Sequence, residues 1–246
     1  MLLDQNAAPG ASSLVNGHSF HRQYFATEER GASRGRNIGL GAAQGDIIAI
    51  PDDDCWYLPT LLEEVMKFFE GRPDANMPSV VECLSGGEAM VPKRPPSGGW
   101  CDAQPIALFE HRSAWVPQSS MIFLRRQVFE TIGLFPEWMG VGAGTRFGSG
   151  EETDYLLRAM PAGFTLWFEP SIRIFHPDLN TPERKKNKNY DYAIGRGALM
   201  RRHGCGLLRL AAAVCRIFVG AAVLRQREIA GASTHASRAH RLSRES

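Results

Sequence analysis

The stretch that most constrains the fold lies at residues 46–56, which read DIIAIPDDDCW. A short apolar run of this kind, bounded by turn residues, is typical of a strand buried on both faces of a sheet. Directly after it the chain places Asp52, Asp53 and Asp54 side by side. Adjacent carboxylates repel each other, and burying an unpaired one is unfavourable. The fold must therefore end a buried strand where three carboxylates either stay solvated or meet a cation.

Strands and helices alternate along the rest of the chain. Residues 119–124 (SSMIFL) predict a second buried strand, and residues 164–175 predict a strand interrupted by Pro170. The helical period predicts helices at 58–71, 125–133 and 151–160. This alternation indicates an α/β layered fold with a largely parallel sheet, which binds ligands beyond the carboxyl ends of its strands. The three aspartates lie at such an end.

Two segments have loop composition. Residues 71–105 are rich in Gly, Pro and Ser and show no clear period, so we expect a long loop region there. Residues 140–150 (GVGAGTRFGSG) contain five glycines and predict a flexible loop or lid. Both segments are candidates for substrate recognition.

Cysteine content and charge exclude several function classes. The five cysteines form no CxxC pair, so we expect neither a disulfide framework nor a zinc site, and a reducing cytoplasm is favoured. From residue 183 onward the chain carries 14 Lys/Arg and four Asp/Glu, against 14 and 22 before it. The chain is an acidic body with a basic tail. The sequence shows neither interleaved aromatics nor a recognisable module, so it does not predict nucleic-acid binding.

The aspartate cluster favours a divalent cation site. Mg²⁺ and Mn²⁺ prefer oxygen ligands, and Mg²⁺ is often held by one or two carboxylates with substrate phosphates completing its shell. Alternate side chains such as Asp52 and Asp54 can point into the same crevice. The competing interpretation is that these acids cap the helix predicted at 58–71, although one Asp is enough for that.

A second acidic motif opens the helix predicted at 151–160. The sequence GSGEETDYLLR places Glu151, Glu152 and Asp154 at a helix start after the glycine-rich segment. A carboxylate there can act as a general base if a substrate hydroxyl comes within hydrogen-bond reach. Acids also stabilise a helix N-terminus electrostatically. Both interpretations stay open from these residues alone.

Two long motifs together resemble a known family. ASRGRNIGLGAAQGDIIAIPDDDCWY, followed by GVGAGTRFGSGEETDYLLRAMPAGFTLWFEPSIRIFH, is similar to the family 2 glycosyltransferases with the GT-A fold, over roughly residues 2–205. The resemblance implies a Rossmann-like, mostly parallel sheet flanked by helices. It also implies inverting transfer of a sugar from a nucleotide-diphosphate sugar to an acceptor hydroxyl, dependent on Mn²⁺ or Mg²⁺, as in polysaccharide biosynthesis. The acceptor class (glycan, lipid-linked or small molecule) stays open.

The resemblance assigns the donor side of the site. It places Asp52 at the ribose and Asp54 at the metal of the family's DXD motif, with Asp53 between them and Asp52 also near the metal. His176 matches a position that closes the diphosphate or metal site in some relatives. The other matched donor-side residues, which the resemblance places near the nucleotide, are Asp4, Arg36 and Asn37.

The resemblance also assigns the catalytic base. The family's Glu-Asp pair reads Glu151-Glu152 here, so Glu152 keeps a carboxylate on an arm longer by one methylene. Asp154, three residues after Glu151, is a candidate substrate-binding residue. The resemblance implies a catalytic domain at residues 1–182. The charge balance predicts a basic helical extension at residues 183–246, with the last ~15 residues disordered.

Two alternatives follow from a departure at the start of the chain. The family's first strand and its PTYNR-like turn have no counterpart before LLDQN, so we expect the nucleotide pocket to be incomplete. A non-catalytic remnant serving as an interaction module is therefore one alternative. A metal-dependent nucleotide phosphohydrolase, which would use the same carboxylates, is the other.

The tail contains an apolar segment at residues 207–227. Arg209 and Arg216 interrupt it, and a mid-helix charge costs about 2.5–3.5 kcal/mol on insertion scales. With Arg227 they share one narrow helix face, which predicts an amphipathic helix. Such a helix lies either on a membrane surface or on the catalytic body. The first case would put a cytoplasmic protein at the inner face of the membrane.

Overall fold

The computed structural model describes residues 1–6, 10–16, 21–84, 89–90, 99–100, 118–177 and 182–206. Within them the strands are Leu2–Asp4 (β1), Tyr24–Ala26 (β2), Ile47–Ala49 (β3), Trp56–Tyr57 (β4), Met77–Leu84 (β5), Ala89–Met90 (β6), Gly99–Trp100 (β7), Phe123–Arg125 (β8) and Leu166–His176 (β9). The helices are Ala32–Ala42 (α1), Leu61–Gly71 (α2), Arg126–Ile132 (α3), Glu151–Ala159 (α4) and Pro182–Arg202 (α5). Short 3₁₀ turns lie at Ala11–Val15, Ser119–Met121 and Met160–Ala162.

The predicted helices and the aspartate-bearing strand are present. The strand predicted at 46–50 is β3, and the three predicted helices are α2, α3 and α4. In α2 the apolar residues recur at helical spacing, so one face is buried. The residues buried along it are Leu61, Val65, Phe68 and Phe69. The predicted strand at 119–124 begins instead as the turn Ser119–Met121 and becomes strand only at β8.

The described strands form three sheets, with both parallel and antiparallel pairings. A parallel pair joins β1 to β2, and an antiparallel pair joins β3 to β8. The largest sheet has the order β4-β9-β5-β6, with β7 also paired to β9. The predicted α/β class is confirmed, but the pairing is more mixed than predicted, because β4, β6 and β7 return as short antiparallel partners of β5 and β9.

The parallel ladder between β5 and β9 is the longest of the described pairings. Its register shifts between Val80 and Val81, where Glu169 and Arg173 are the respective partners. Pro170 lies inside this shift, and a proline has no N–H to give to a ladder. The predicted interruption at Pro170 is therefore a bulge within one strand, and β9 continues past it to His176.

Part of the predicted loop at 71–105 is strand instead. Residues Met77–Leu84 form β5, and seven of its eight residues are buried. The prediction of a loop there was wrong because Pro78, Ser79 and Glu82 break the apolar run. The strand is central, so its polar side chains are buried with it. Neither alternation nor a continuous apolar stretch marks it in the sequence.

The packing of α4 fixes the position of the glutamate motif. Leu156 and Leu157 of α4 are fully buried and belong to one core cluster with Ile48 of β3 and Leu124 of β8. The start of α4 is thereby held over the β3–β8 pair, close to the turn that follows β3.

The chain divides into two compact units, Met1–Leu199 and Met200–Ser246. The domain boundary predicted after residue 182 falls at the start of α5, and the two predicted domains stay a prediction. None of the described helices is both long enough and apolar enough to cross a membrane. The amphipathic segment predicted at 207–227 and the disorder predicted for the last residues lie outside the described residues.

Candidate active site

The aspartate motif forms a turn between two strands. After β3 the chain leaves the sheet, and the Cys55 amide donates to the Asp52 carbonyl at 3.3 Å, which closes the turn. The next two residues form β4, whose Trp56 lies opposite Phe175 of β9. Their rings stack with centroids 5.7 Å apart. This pairing brings Asp54, two residues before Trp56, next to the residue that follows Phe175.

That residue is His176, at the carboxyl end of β9. Its Nε2 lies 3.0 Å from Oδ1 of Asp54, and its Nδ1 lies 2.8 Å from the carbonyl oxygen of Pro177. A carbonyl only accepts, so Nδ1 carries a proton and a neutral ring presents the Nε2 lone pair to Asp54. A lone pair facing a carboxylate oxygen is unfavourable. Either a second proton on Nε2 or a shared cation removes that conflict.

Asp52, Asp54 and His176 can offer ligand atoms that all lie within 4.8 Å of one another. Two neighbouring octahedral ligands, each at about 2.1 Å from Mg²⁺, are about 3.0 Å apart. The Asp54–His176 separation of 3.0 Å matches that spacing. Both side chains are partly exposed, so water can complete a coordination shell. The donor set of this chain therefore fits a divalent cation.

Besides the cation-ligand group with Asp54 and His176, Asp52 also contacts Ser119 and Arg36. The Ser119 hydroxyl donates to Asp52 Oδ1 at 3.2 Å, and Arg36 Nη2 lies 3.8 Å from the same oxygen. Burial raises the pKa of the Asp52 carboxyl, while the Arg36 charge and the Ser119 hydrogen bond oppose that rise. The third aspartate of the motif, Asp53, is exposed.

The glutamate motif is far more enclosed. Helix α4 begins after Gly150, which has a φ of 102° that favours glycine. Glu151 is only 2% exposed. A Cβ added at Gly140 would lie 2.8 Å from the Glu151 carboxyl carbon, so only glycine leaves room for this carboxylate. Glu152 is less buried and lines a small, mostly apolar pocket that includes Phe135 and Leu156.

Arg36 of α1 joins the two acidic clusters. Its Nη1 donates to Glu151 at 2.8 Å, and its Nη2 donates to Ser119 at 2.7 Å and to Glu152 at 3.3 Å. Three carboxylates therefore surround one guanidinium. With all three ionised the cluster carries a net charge of −2, which a site of limited solvent access holds only with a bound proton or cation.

The environment raises the pKa of Glu152 to about 7. Burial is the largest cause and the Glu151 charge is the second, while the Arg36 guanidinium acts in the opposite direction. A carboxyl that titrates near neutrality can take up and release a proton at working pH. Glu152, which lines the pocket, is therefore suited to act as a general base.

With this geometry in place, sequence comparison assigns the family. A profile described as Glycosyl transferase family 2 matches residues 4–133, more than half of the chain. The chain belongs to glycosyl transferase family 2. Among curated proteins no significant sequence match was found.

Solved structures support the fold. S. aureus TarS 1-349 aligns with a TM-score of 0.50 at 12% identity, over 76% of this chain and 51% of that one. The same fragment in complex with UDP-GlcNAc aligns with a TM-score of 0.50 at 10% identity, over 80% and 55%. The chain thus spans about half the length of these matched structures. At such identities the likeness concerns the fold alone, and it confirms the predicted GT-A fold.

Three residues predicted to bind substrate have hydrogen-bond or ion-pair partners within the protein, and their roles stay predictions. Asp4 is buried at the end of β1 and accepts hydrogen bonds from Asn6, Gly10, Ala11 and Tyr24. The Asn6 amide and the Tyr24 hydroxyl are the main cause of a pKa lowered to about 2. Asp4 thus organises the loop after β1.

Asn37 and Asp154 also have structural partners. The Asn37 side-chain amide donates to the Phe135 carbonyl at 3.0 Å and accepts from the Phe135 amide at 2.8 Å. Asp154 is completely buried and pairs with Arg158, one turn later, at 2.9 Å. Asn37 positions the loop before the glycine-rich segment, and Asp154 stabilises α4. Their predicted contact with substrate stays a prediction.

Sequence reasoning missed two residues that shape the site. Ser119 connects Arg36 to Asp52, and Gly140 makes room for Glu151. The available signal for Ser119 was a pair of hydroxyl residues directly before a buried apolar run. Gly140 is one of five glycines in its segment, and nothing in the sequence distinguishes it from the others.

Proposed function

We propose that this chain transfers a sugar from a nucleotide-diphosphate sugar to an acceptor hydroxyl, with inversion and with a divalent metal, Mn²⁺ or Mg²⁺. The observation that carries the proposal is the joint placement of Asp52, Asp54 and His176 beside Glu152, linked through Arg36. S. aureus TarS, which shares the fold, has been solved with UDP-GlcNAc. A nucleotide diphosphate bound to a metal at the aspartate turn is the donor class that these carboxylates fit.

The aspartate turn and Glu152 have separate tasks in this proposal. The metal held by Asp54, Asp52 and His176 would supply Lewis-acid stabilisation of the charge on the leaving diphosphate. Asp52 and Asp53 would also face the donor's ribose side. Glu152 accepts the proton of the acceptor hydroxyl while that oxygen forms the new bond to the anomeric carbon. The glycosidic oxygen of the diphosphate leaves with the electron pair of the broken bond, so one displacement inverts the configuration.

The charge of the site supports this division of tasks. Arg36 is the cation that the described residues place among Asp52, Glu151 and Glu152, and it does not balance all three. A divalent ion held at the turn would supply the missing positive charge, and these carboxylates would then repel a diphosphate less. Glu151, buried against Gly140, holds Arg36 and does not face the pocket, which leaves Glu152 as the base.

Donor binding tests the proposal. UDP-GlcNAc and other nucleotide-diphosphate sugars are titrated by calorimetry with Mn²⁺, with EDTA, and with the Asp54→Ala variant. Asp46→Ala, an exposed acid at the other end of β3, is the matched control. We expect binding only with Mn²⁺ and only when Asp54 is present. Equal binding with EDTA and without Asp54 would contradict the metal assignment. Acceptor-independent cleavage of the donor to a sugar phosphate and a nucleoside monophosphate would favour a phosphohydrolase.

A further inference from the structure

The Arg36 guanidinium is enclosed by groups of the protein itself. Its side chain is 11% exposed, and both terminal nitrogens donate to partners on other elements. The Phe135 ring lies 5.6 Å from the guanidinium carbon and covers one of its faces. Arg36 therefore has little free surface for a ligand, although family resemblance places it on the nucleotide side.

The helix that carries Arg36 is fixed on both sides of it. The Ser33 hydroxyl donates to the Met139 carbonyl at 2.6 Å, and the Asn37 amide is bonded to Phe135 in both directions. The Ala32 amide also donates to the Val141 carbonyl at 2.8 Å. These contacts tie α1 to the segment between α3 and α4. A guanidinium mounted on such a helix has a defined position relative to Glu151.

The contacts of Arg36 run in one continuous path between the two acidic clusters. Its Nη2 donates to Glu152 on one side and to the Ser119 hydroxyl on the other, and that hydroxyl donates onward to Asp52. A serine hydroxyl has one proton, so accepting from Arg36 directs that proton toward Asp52. The planar guanidinium can serve several acceptors at fixed angles, which a lysine ammonium cannot do.

We propose that Arg36 is a positioning residue, which holds Glu152 and Asp52 in one frame across Ser119 and does not bind the donor directly. The inference rests on the proposed function, because it assumes that Glu152 takes the acceptor proton and that Asp52 lies on the donor side. In this arrangement the Arg36 side chain on α1 would set the distance between the base and the metal-bound donor. Loss of Arg36 then misplaces the base while the Asp54–His176 end of the site stays intact.

The first test separates positioning from donor binding. The variants are Arg36→Met and Arg36→Lys, with Arg34→Met on the same helix as matched control, because the contacts of Arg34 with Glu137 and with the Arg30 carbonyl are solvent-accessible. Binding of UDP with Mn²⁺ is measured by calorimetry, and kcat is measured with the donor that the binding screen identifies. For R36M we expect kcat to fall about 100-fold, the order expected for a 1 Å misplacement, with UDP affinity within about threefold of wild type.

Arg36→Lys should keep a higher kcat than R36M, since lysine retains the positive charge but lacks the planar guanidinium that donates to several acceptors. R34M should behave as wild type. A fall of tenfold or more in UDP affinity with unchanged kcat would overturn the proposal and make Arg36 a donor ligand. Thermal unfolding of each variant reports on folding. If R36M does not fold, R36K and Ser119→Ala serve in its place, because S119A breaks the path to Asp52 alone and should lower kcat without weakening UDP binding.

The second test requires no turnover. Carbon-13 NMR of the glutamate carboxyls follows the titration of Glu152, assigned with the Glu152→Gln variant. The groups that face or act on Glu152 are Arg36 from α1, Asp52 from the turn after β3, Ser119, and Glu151 and Tyr155 from α4. Removing Arg36 takes away the positive charge beside Glu152. The pH midpoint of the Glu152 titration should therefore rise in R36M, rise less in R36K, and stay unchanged in R34M.

An unchanged Glu152 midpoint in R36M would overturn the link between the two side chains. Failure of the proposed function would be visible in the binding measurement, not in the NMR titration. If wild type binds none of the nucleotide-diphosphate sugars in the presence of Mn²⁺, the glycosyltransferase proposal is wrong, while the NMR titration still decides whether Arg36 controls Glu152.

Discussion

The two acidic clusters of this protein have similar sequences but different surroundings. The side chains of Asp52 and Asp54 are 31% and 39% exposed, and a histidine completes their group. The side chains of Glu151 and Glu152 are 3% and 21% exposed, and an arginine is paired with them. The open turn can exchange a cation and its waters with solvent. The enclosed pair has a fixed guanidinium and an apolar pocket, which suits it to hold and release a proton.

The largest expected effect comes from the enclosed cluster. Glu152→Gln removes the proton acceptor and keeps the size of the side chain, so kcat should fall about 10²- to 10⁴-fold, the usual range for a general base. Donor binding with Mn²⁺ should stay close to wild type, because the aspartate turn is unchanged. Steady-state kinetics combined with calorimetry check both points. If E152Q lost donor affinity but kept kcat, the roles of the two clusters would be reversed.

The acidity of Glu152 sets the next effect. Burial and the Glu151 charge raise its pKa to about 7, so the base form accumulates only as the pH rises through that value. The transfer rate should therefore increase with pH, roughly tenfold per unit below about pH 7, and level off above it. A rate profile over pH 5 to 9 measures this limb. A flat profile across neutrality would show that Glu152 is not the group that accepts the proton.

A smaller effect comes from Gly140, which lies against the Glu151 carboxylate. Gly140→Ala places a methyl group 2.8 Å from the Glu151 carboxyl carbon at a φ of 107°, and should destabilise the fold by about 1–3 kcal/mol. Gly144→Ala is the matched control, since Gly144 has a φ of 73° but nothing within 4 Å of the added methyl. Denaturant unfolding compares the two variants. We expect G140A to lose more stability and more activity than G144A, and equal losses would remove the argument that Gly140 shapes the site.

The smallest effect concerns stability and pH. Since the folded pKa of Glu152 is raised, its contribution to stability is complete below the unfolded value of about 4.5 and is lost as pH rises through about 7. Wild type should therefore lose some stability between pH 5 and 8 that E152Q keeps. Thermal unfolding of both proteins at several pH values gives this difference. Parallel curves for the two proteins would mean that the carboxyl is not perturbed by folding.

The open cluster was largely predictable from sequence. A buried strand followed by acids indicates the carboxyl edge of a sheet, and this is where Asp52 and Asp54 lie. Family resemblance supplied His176, which is 122 residues away from Asp54 in the chain. Its approach depends on the short β4–β9 pairing of Trp56 with Phe175, and two-residue strands carry no periodic signal.

The enclosed cluster was predictable in its residues but not in its arrangement. Glu151 and Glu152 were evident at a helix start, yet which of them faces the pocket depends on Gly140 and on the packing of Leu156. Arg36 was predicted on the nucleotide side, and its position between the carboxylates could not be read from the sequence. Its partners Asp52, Ser119 and the Glu151–Glu152 pair come from three separate segments, so only the assembled fold brings them together. The strand β5 was not predicted either, because its buried Ser79 and Glu82 give the segment a polarity typical of a loop.

Titration of Mn²⁺ alone into wild type, D54A and E152Q tests most directly that one cluster binds the metal and the other binds the proton. Electron paramagnetic resonance counts the free ion, and Trp56, stacked beside the aspartate turn, gives a fluorescence signal at the same site. We expect one bound Mn²⁺ in wild type and in E152Q, and its loss in D54A. Retention of Mn²⁺ in D54A together with its loss in E152Q would contradict the account, because it would place the metal at the glutamate pair.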